Sequence, residues 1–516
     1  MTPSDLRLDL LRLPGPLPVW HGQVGQDDWS ATAGAIADAG GRLVALWGVD
    51  RSAIGGTLTA CVTYAAPRGL IWLELRLVGV APAVPDLTSV FPCAGRMQRA
   101  MTDLMGMAVQ GSRDARAWLD HGLWPPGARP LQSDAQAGAA TAGKLPADYP
   151  FVRVEGDGVH EIAVGPVHAG IIEPGHFRFS VVGEKVLRLE EHLGYTHKGI
   201  ERRFTELAPL EGYRLAGRVS GDSTVAYAWA YCMALESAWG CAPAPRATWL
   251  RALMLERERV ANHLGDLGAL GNDAGLAFGL AQFSRLREDW QRLSAEAFGH
   301  RLMMDAVVPG GVARDLTPAM LERLHQQCDG IEREVRTLRA VYDEHAGLQD
   351  RFLGAGRVTP QLAARLGLTG LAGRASGRAA DLRCDHAWLP YDSLVVKMAT
   401  HHGGDVAARV AVRFDELFES LRLIRTICAG LPDGATRIVL QAPAGAARGA
   451  GWVEGWRGEV LVALELADEG RILRCHCHDP SWQNWPVLEH AIMGNIVPDF
   501  PLINKSFNLS YSGHDL

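Results

Sequence analysis

The chain lacks most of the features that would place it quickly. No run of about 18 apolar residues occurs, so no segment reads as a membrane-spanning helix. The N-terminus, MTPSDLRLDLLRLPG, has no basic stretch ahead of an apolar core, and we expect no secretory signal there. Lysine and arginine total 51 against 58 acids, a net charge of −7, which excludes a nucleic-acid binder of the usual basic kind. The nine cysteines lie far apart except at Cys475 and Cys477, and none is in Cys-x-x-Cys spacing. That dispersion suits a reduced interior rather than a disulfide framework, and it gives this chain no iron–sulfur ligand set of its own. The Gly-rich stretch 367–383 has neither the phosphate-loop spacing nor a strand before a G-x-G-x-x-G, so no nucleotide site is expected there.

What is present is apolar periodicity of both kinds. Leu43–Trp47, Leu58–Tyr64 and Leu70–Leu77 read as strands; in the last, Ile71, Leu73, Leu75 and Leu77 share one face while Trp72, Glu74 and Arg76 share the other. Phe177, Phe179 and Val181 alternate with polar residues, Gly183-Glu184 can turn the chain, and Leu187 and Leu189 alternate again, which predicts a hairpin. Ser223 to Trp239 is a small-and-apolar run predicting a buried helix. Leu250, Leu253, Val260 and Leu264, then Leu321, Leu324, Ile331, Val335 and Leu338, then Val410, Phe414, Leu417, Leu421 and Ile424 fall at helical spacing. Strands are expected again at 459–466 and 471–477. Residues 131–148 are small, polar and Ala/Gly-rich, a linker composition that separates a first module (1–130) from a second (149–516).

Cys475-His476-Cys477-His478 has the composition of a metal site. On a strand, however, alternate residues face opposite ways, so only one like pair can converge, and no further ligands stand at a suitable spacing. We expect no metal there.

Specific motifs point further. GPVH (165–168), EPGHFR (173–178) and THKGIE (196–201) resemble the start of the large-subunit domain shared by the complex I 49-kDa subunit and membrane-bound [NiFe] hydrogenases. Gly370, Arg374, Ser376, Gly377, Asp381, Leu382 and Arg383 match a complex I segment, and Gly404-Asp405, Arg409, Arg413 and Glu416 a family helix. In the first module Phe91-Pro92, Asp103-Leu104-Met105-Gly106 and Trp124-Pro125 resemble the complex I 30-kDa subunit. Joining the two in one polypeptide is similar to the large subunit of formate-hydrogenlyase-type hydrogenases. The implied fold is α+β: a small α/β N-terminal domain of the 30-kDa kind, then a mostly helical, hydrogenase-large-subunit-like domain with peripheral strands.

One departure governs the functional expectation. Where hydrogenases carry two nickel-ligand cysteines in R-V-C-G-x-C, this chain has Ser220 and Ser223; where they carry two more near the C-terminus, it has Ser510 and Gly513. A hydroxyl does not replace a soft thiolate bridge, so nickel is not expected. The resemblance instead implies a subunit of a complex I-like, hydrogenase-related oxidoreductase, active only within its complex. Electrons would come from iron–sulfur clusters in a small partner subunit and a ferredoxin-like one, and would pass to a quinone-like acceptor. Antiporter-like and anchor subunits would translocate ions, the chain being peripheral on the cytoplasmic face of the plasma membrane, and any NADH link would belong to other subunits. A non-catalytic coupling scaffold is the alternative, and an active hydrogenase a remoter one. Site expectations follow the resemblance: His176 beside Asp273 as proton-delivering pair, since a histidine next to a carboxylate changes charge near neutral pH; Ser220, Gly221, Ser223 and Tyr227 around the acceptor, Gly221 standing where complex I has its quinone-binding tyrosine; Glu201, partnered by His197 and Arg202; and a buried charged set of Arg374, Asp381, Arg383, Asp405 and Arg409.

Overall fold

The computed structural model describes residues 8–79, 82–133, 135, 148–168 and 172–516. Most of the expected linker, 136–147, lies outside the described residues. The first module is a five-stranded sheet in the order β1-β2-β5-β4-β3, formed by Leu11–Leu13, Val19–Gln23, Gly69–Arg76, Leu58–Ala66 and Arg42–Asp50 respectively. Helix α1 (Gln26–Asp38) connects β2 to β3, and α2 (Ala94–Met105) packs on β3. The β2–β5 pair is parallel and the others antiparallel. The second module opens with β6 (Val159–Val164), β7 (His176–Val182) and β8 (Lys185–His192), the predicted hairpin with a third strand added.

Helix α3 (Thr224–Ala238) is apolar all round because it is covered all round, with residues 224–237 buried. One side meets a three-stranded sheet of β9 (Ala447–Glu454), β10 (Glu459–Leu466) and β11 (Ile472–His478). Two glycines set this close approach. A Cβ at Gly451 would meet the Ala230 carbonyl oxygen at 1.8 Å, and one at Gly449 the Ala234 oxygen at 2.1 Å. Spacing of two on the strand matches spacing of four on the helix. Beyond α3 lies a bundle of α4 (Pro245–Asp273), α5 (Ala277–Phe298), α6 (Pro318–Glu344) and α7 (Val406–Gly430), in which α4 packs on α5 and α7, and α7 on α6. Helix α8 (Ser481–Ala491) follows β11, and α9 (Phe500–Phe507) and α10 (Tyr511–Asp515) bring the C-terminus back to the start of α3.

The modules are locked together through buried polar contacts. Trp47 stacks on His476 with ring centroids 4.6 Å apart, and Arg474 donates to the Gly48 carbonyl at 3.1 Å. Arg51 bridges Glu74 and Glu465 at 2.7 Å each, and Arg42 pairs with Glu459. Glu74 sits on the polar face predicted for its strand, yet is 1% exposed, because the second module covers that face.

Candidate functional site

The four positions of the replaced cysteines converge at the N-terminus of α3, where the loop before it meets the turn before α10. Ser220 Oγ lies 2.9 Å from Ser510 Oγ and donates to Asp222 Oδ1 at 2.7 Å. Ser510 Oγ in turn accepts from the Gly513 amide at 2.9 Å. Arg457, in the β9–β10 turn, holds Asp222 through both carboxylate oxygens and reaches Ser223 Oγ at 3.2 Å. Burial alone would raise the Asp222 carboxyl; the Arg457 guanidinium and the Ser220 hydroxyl hold it below the usual carboxylate range.

Nickel does not fit this donor set. The three serine hydroxyls are committed to one another, to Asp222 and to Arg457. The fourth position is closed: a Cβ on Gly513 would stand 2.5 Å from Asp479 Oδ2. Asp479 cannot easily yield, since Tyr227 donates to it at 2.8 Å and the Ser481 amide at 2.9 Å. Gly513→Cys is therefore expected to destabilise the chain by about 1–3 kcal/mol, measured as a lowered denaturant midpoint, with Gly513→Ala costing nearly as much.

In front of these residues lies a cleft of about 710 Å³, of a size that takes a small organic ligand. Ser220, Gly221 and Asp222 form one wall, Asp266 and Asp273 of α4 a second, and Lys505 and Tyr511 a third. Asp266 is buried between Arg413 at 2.9 Å, Asn508 Nδ2 at 2.7 Å and Lys505 at 3.5 Å. Those cations hold its carboxyl low against the effect of burial. Asp273 stands at the last position of α4. Surrounding protein raises its pKa, and Lys505 only partly offsets this. A Cβ at Gly221 would meet nothing closer than Met304 at 3.7 Å, so the cleft is open at the position expected from the resemblance to correspond to a tyrosine.

The expected residues divide. Ser220, Gly221 and Asp273 line the cleft, and Ser223 is buried just behind it. His176 does not join Asp273. It begins β7, its Nδ1 meets the Gly165 carbonyl oxygen at 3.3 Å, and its ring packs near Phe151. Burial, with Arg178 and His168 nearby, lowers its pKa. The strand turns its side chain away, and Glu173, three residues earlier in the same motif, reaches the cleft instead and accepts from the Ser512 amide at 3.3 Å. Tyr227 is wholly buried and spends its hydroxyl on Asp479, so it supports the site from below rather than lining it.

Glu201 has other partners than His197 and Arg202. Its carboxylate accepts from His476 Nδ1 at 2.7 Å and from Arg474 at 3.1 Å, and these hold it low although it is buried. His197 instead meets the Asp515 carbonyl oxygen at 2.8 Å, and Arg202 donates to that of Gln132 at 3.2 Å. Strand β11 thus uses its histidines for packing and hydrogen bonds, His478 meeting Gln483 at 3.0 Å, while Cys475 and Cys477 point into the core on the other face.

The charged set also splits. Arg374, Asp381 and Arg383 form one buried network with Glu256, Glu416 and Glu454: Arg374 binds Glu416 and Glu454 at 2.8 Å each, and Arg383 binds Asp381 at 2.6 Å and Glu256 at 3.0 Å. His263 adds a contact to Glu416 at 2.9 Å. Asp405 and Arg409 stand apart from it. Asp405 caps α7 by accepting from the Ala408 amide at 2.8 Å, a common use of aspartate before a helix. Arg409 donates to Ser506 and to the Gly404 and Gly356 carbonyls and lies 4.1 Å over the Phe507 ring; burial pulls its pKa down to about 9.

Cation partners hold Asp222, Glu256, Asp266, Asp381 and Glu416 below their ordinary values against the opposing effect of burial. Depressed carboxylates add stability that is complete above their unfolded pKa and lost as pH falls through the folded one. We expect stability to hold down to about pH 4 and to fall steeply below it, measured by denaturant midpoints across pH. A flat profile from pH 5 to pH 2 would contradict the network's strength.

Comparison with known proteins agrees with this architecture. The family model of the respiratory-chain NADH dehydrogenase 30 Kd subunit matches residues 23–141, and that of the 49 Kd subunit residues 273–442. Formate hydrogenlyase subunit 5 of Escherichia coli is 30% identical over 92% of this chain and 85% of its own length. The C/D-type subunit of NADH-quinone oxidoreductase from Bacteroides fragilis is 28% identical over 77% of this chain and 78% of its own length. A chain of the membrane-bound sulfane sulfur reductase, an archaeal respiratory membrane complex, shares the fold with a TM-score of 0.64 at 24% identity, over 69% of this chain and 98% of that one. The chain belongs to the family of fused 30-kDa and 49-kDa respiratory NADH dehydrogenase-type subunits, together with the large subunits of formate-hydrogenlyase-type hydrogenases.

Proposed function

We propose that the chain is the acceptor-side subunit of a membrane-associated, complex I-like oxidoreductase that works without nickel. The observation that carries this is the cleft itself, which lies against three serines and a glycine at the four positions where the resemblance implies thiolates, beside the Arg457–Asp222 pair. The acceptor would be quinone-like, a planar ligand with two carbonyl oxygens. Its reduction takes two electrons, supplied by an iron–sulfur partner subunit, and two protons, yielding the quinol. Lys505 would donate to one carbonyl. Asp273 would deliver one proton at the other, its raised pKa leaving more of the acid form near neutral pH than an ordinary aspartate has. The second proton would come from water in the open cleft, which would also reprotonate Asp273. Arg457 and Asp222 neutralise each other and shape the floor, so the cleft presents a fixed polar surface. Among the described residues no helix is long and apolar enough to cross a membrane. Contact with the membrane arm would come through anchor and antiporter-like subunits, on the cytoplasmic face.

A coupling scaffold is the second reading. The buried network of Arg374, Arg383, Glu256 and Glu416 favours it, since it ties α4 to α7 without lining the cleft. A photoreactive quinone applied to the purified complex separates the two. Labelling of 220–222, 266–273 and 504–512 supports the acceptor reading; labelling confined to other subunits would overturn it.

A further inference from the structure

A second cleft, of about 950 Å³, opens between the two modules. It is lined by the loop 85–93 that precedes α2, by residues 40–43 before and at the start of β3, and by segments 364–367 and 378 of the second module. Its cationic side chains are Arg42, Arg113, Arg365 and Arg378. Arg42 is already paired with Glu459. The other three make no ion pair and no side-chain hydrogen bond among the described residues. The one acid in the wall, Asp86, is turned to its own loop, accepting from the Thr88 amide at 3.0 Å and Gln98 Nε2 at 2.7 Å.

An unpaired guanidinium on an exposed surface costs little, and Arg113 and Arg365 alone would mean nothing. Arg378 is different. Its Nε is buried without any partner, and desolvation together with the neighbouring Arg42 lowers its pKa, against the opposing charge of Glu459. The residue as a whole is only partly buried and lines the cleft, so an anion there meets a guanidinium already partly stripped of water.

We propose that this cleft binds a phosphate-bearing small molecule of nucleotide size, held by Arg378 at the base and by Arg113 and Arg365 at the rim. Planar guanidinium groups suit the paired oxygens of phosphate, and two or more phosphates match three separate arginines. The volume exceeds what one inorganic phosphate fills, leaving room for an organic body against Val90, Phe91 and Pro92. The site is separate from the acceptor cleft and does not depend on the function proposed for it.

Titration calorimetry of the full-length chain with ADP, pyrophosphate and adenosine tests this. We expect ADP to bind, and Arg113→Ala and Arg365→Ala, both exposed positions that do not threaten folding, each to weaken it about tenfold. Arg378→Lys is expected to retain more affinity than Arg378→Ala. Pyrophosphate binding as tightly as ADP would assign recognition to the phosphates alone, and weaker pyrophosphate would assign a share to the base; both support the site. Absence of ADP and pyrophosphate binding, equal binding of adenosine, or affinity unchanged in the two rim variants would overturn it.

Discussion

Replacing Arg374 with methionine is expected to destabilise the chain by roughly 3–5 kcal/mol, a large part of the stability of an ordinary domain. Arg374 is fully buried and holds Glu416 and Glu454 at 2.8 Å, with Asp381 at 3.8 Å. Methionine keeps much of the volume but leaves three buried carboxylates with too few cations. Glu454 takes the first adjustment: burial and the neighbouring Asp381 already push its pKa up to about 7, so it picks up a proton once Arg374 is gone. The loss should therefore shrink as pH falls from 8 to 6. A lowered denaturant midpoint with unchanged slope is the expected signature. Adding Glu416→Gln and Glu454→Gln to the variant should recover part of it, since neutral amides do not need the guanidinium. A single variant as stable as the parent would show that the network contributes nothing.

Replacing Asp273 with asparagine is expected to lower acceptor-dependent turnover of the complex about 10²-fold while leaving folding intact. An aspartate in the last turn of a helix opposes the helix dipole, so removing its charge relieves a small unfavourable interaction. The residue has no ion pair to lose among the described residues. In the parent, turnover should fall as pH rises through the raised pKa of Asp273, because the proton is then lost before the acceptor arrives. The asparagine variant should lose that limb of the profile. His176→Ala, by contrast, should leave turnover within a few-fold of the parent. Full activity in Asp273→Asn would favour the scaffold reading.

Much of the fold was legible because its strands and helices announce themselves by period. The run from Ser223 to Trp239 carries no amphipathic stripe, and that uniformity itself marked α3 as enclosed. The site was harder. Asp222 and Arg457 are 235 residues apart in the chain, and no spacing rule relates them. His176 looked like the cleft histidine through the resemblance to complex I, but which residue of a loop-to-strand junction faces a cavity depends on where the strand begins. Here it begins at His176, which leaves Glu173 on the loop side and exposed to the cleft. Asp405 could have been read as a helix cap from Gly-Asp-Val-Ala-Ala ahead of an apolar period, and grouping it with Arg374 came from charge alone. The partners of Glu201 lie in the last sheet, out of reach of local pattern, while its sequence neighbours His197 and Arg202 turn elsewhere.

Nickel content of the intact purified complex, determined by mass spectrometry beside hydrogen-dependent dye reduction, tests the central claim most directly. Serine at 220, 223 and 510, with Asp479 filling the space beside Gly513, predicts no stoichiometric nickel and no hydrogen-dependent reduction. Stoichiometric nickel accompanied by hydrogen uptake would contradict the account and require ligands other than those four positions.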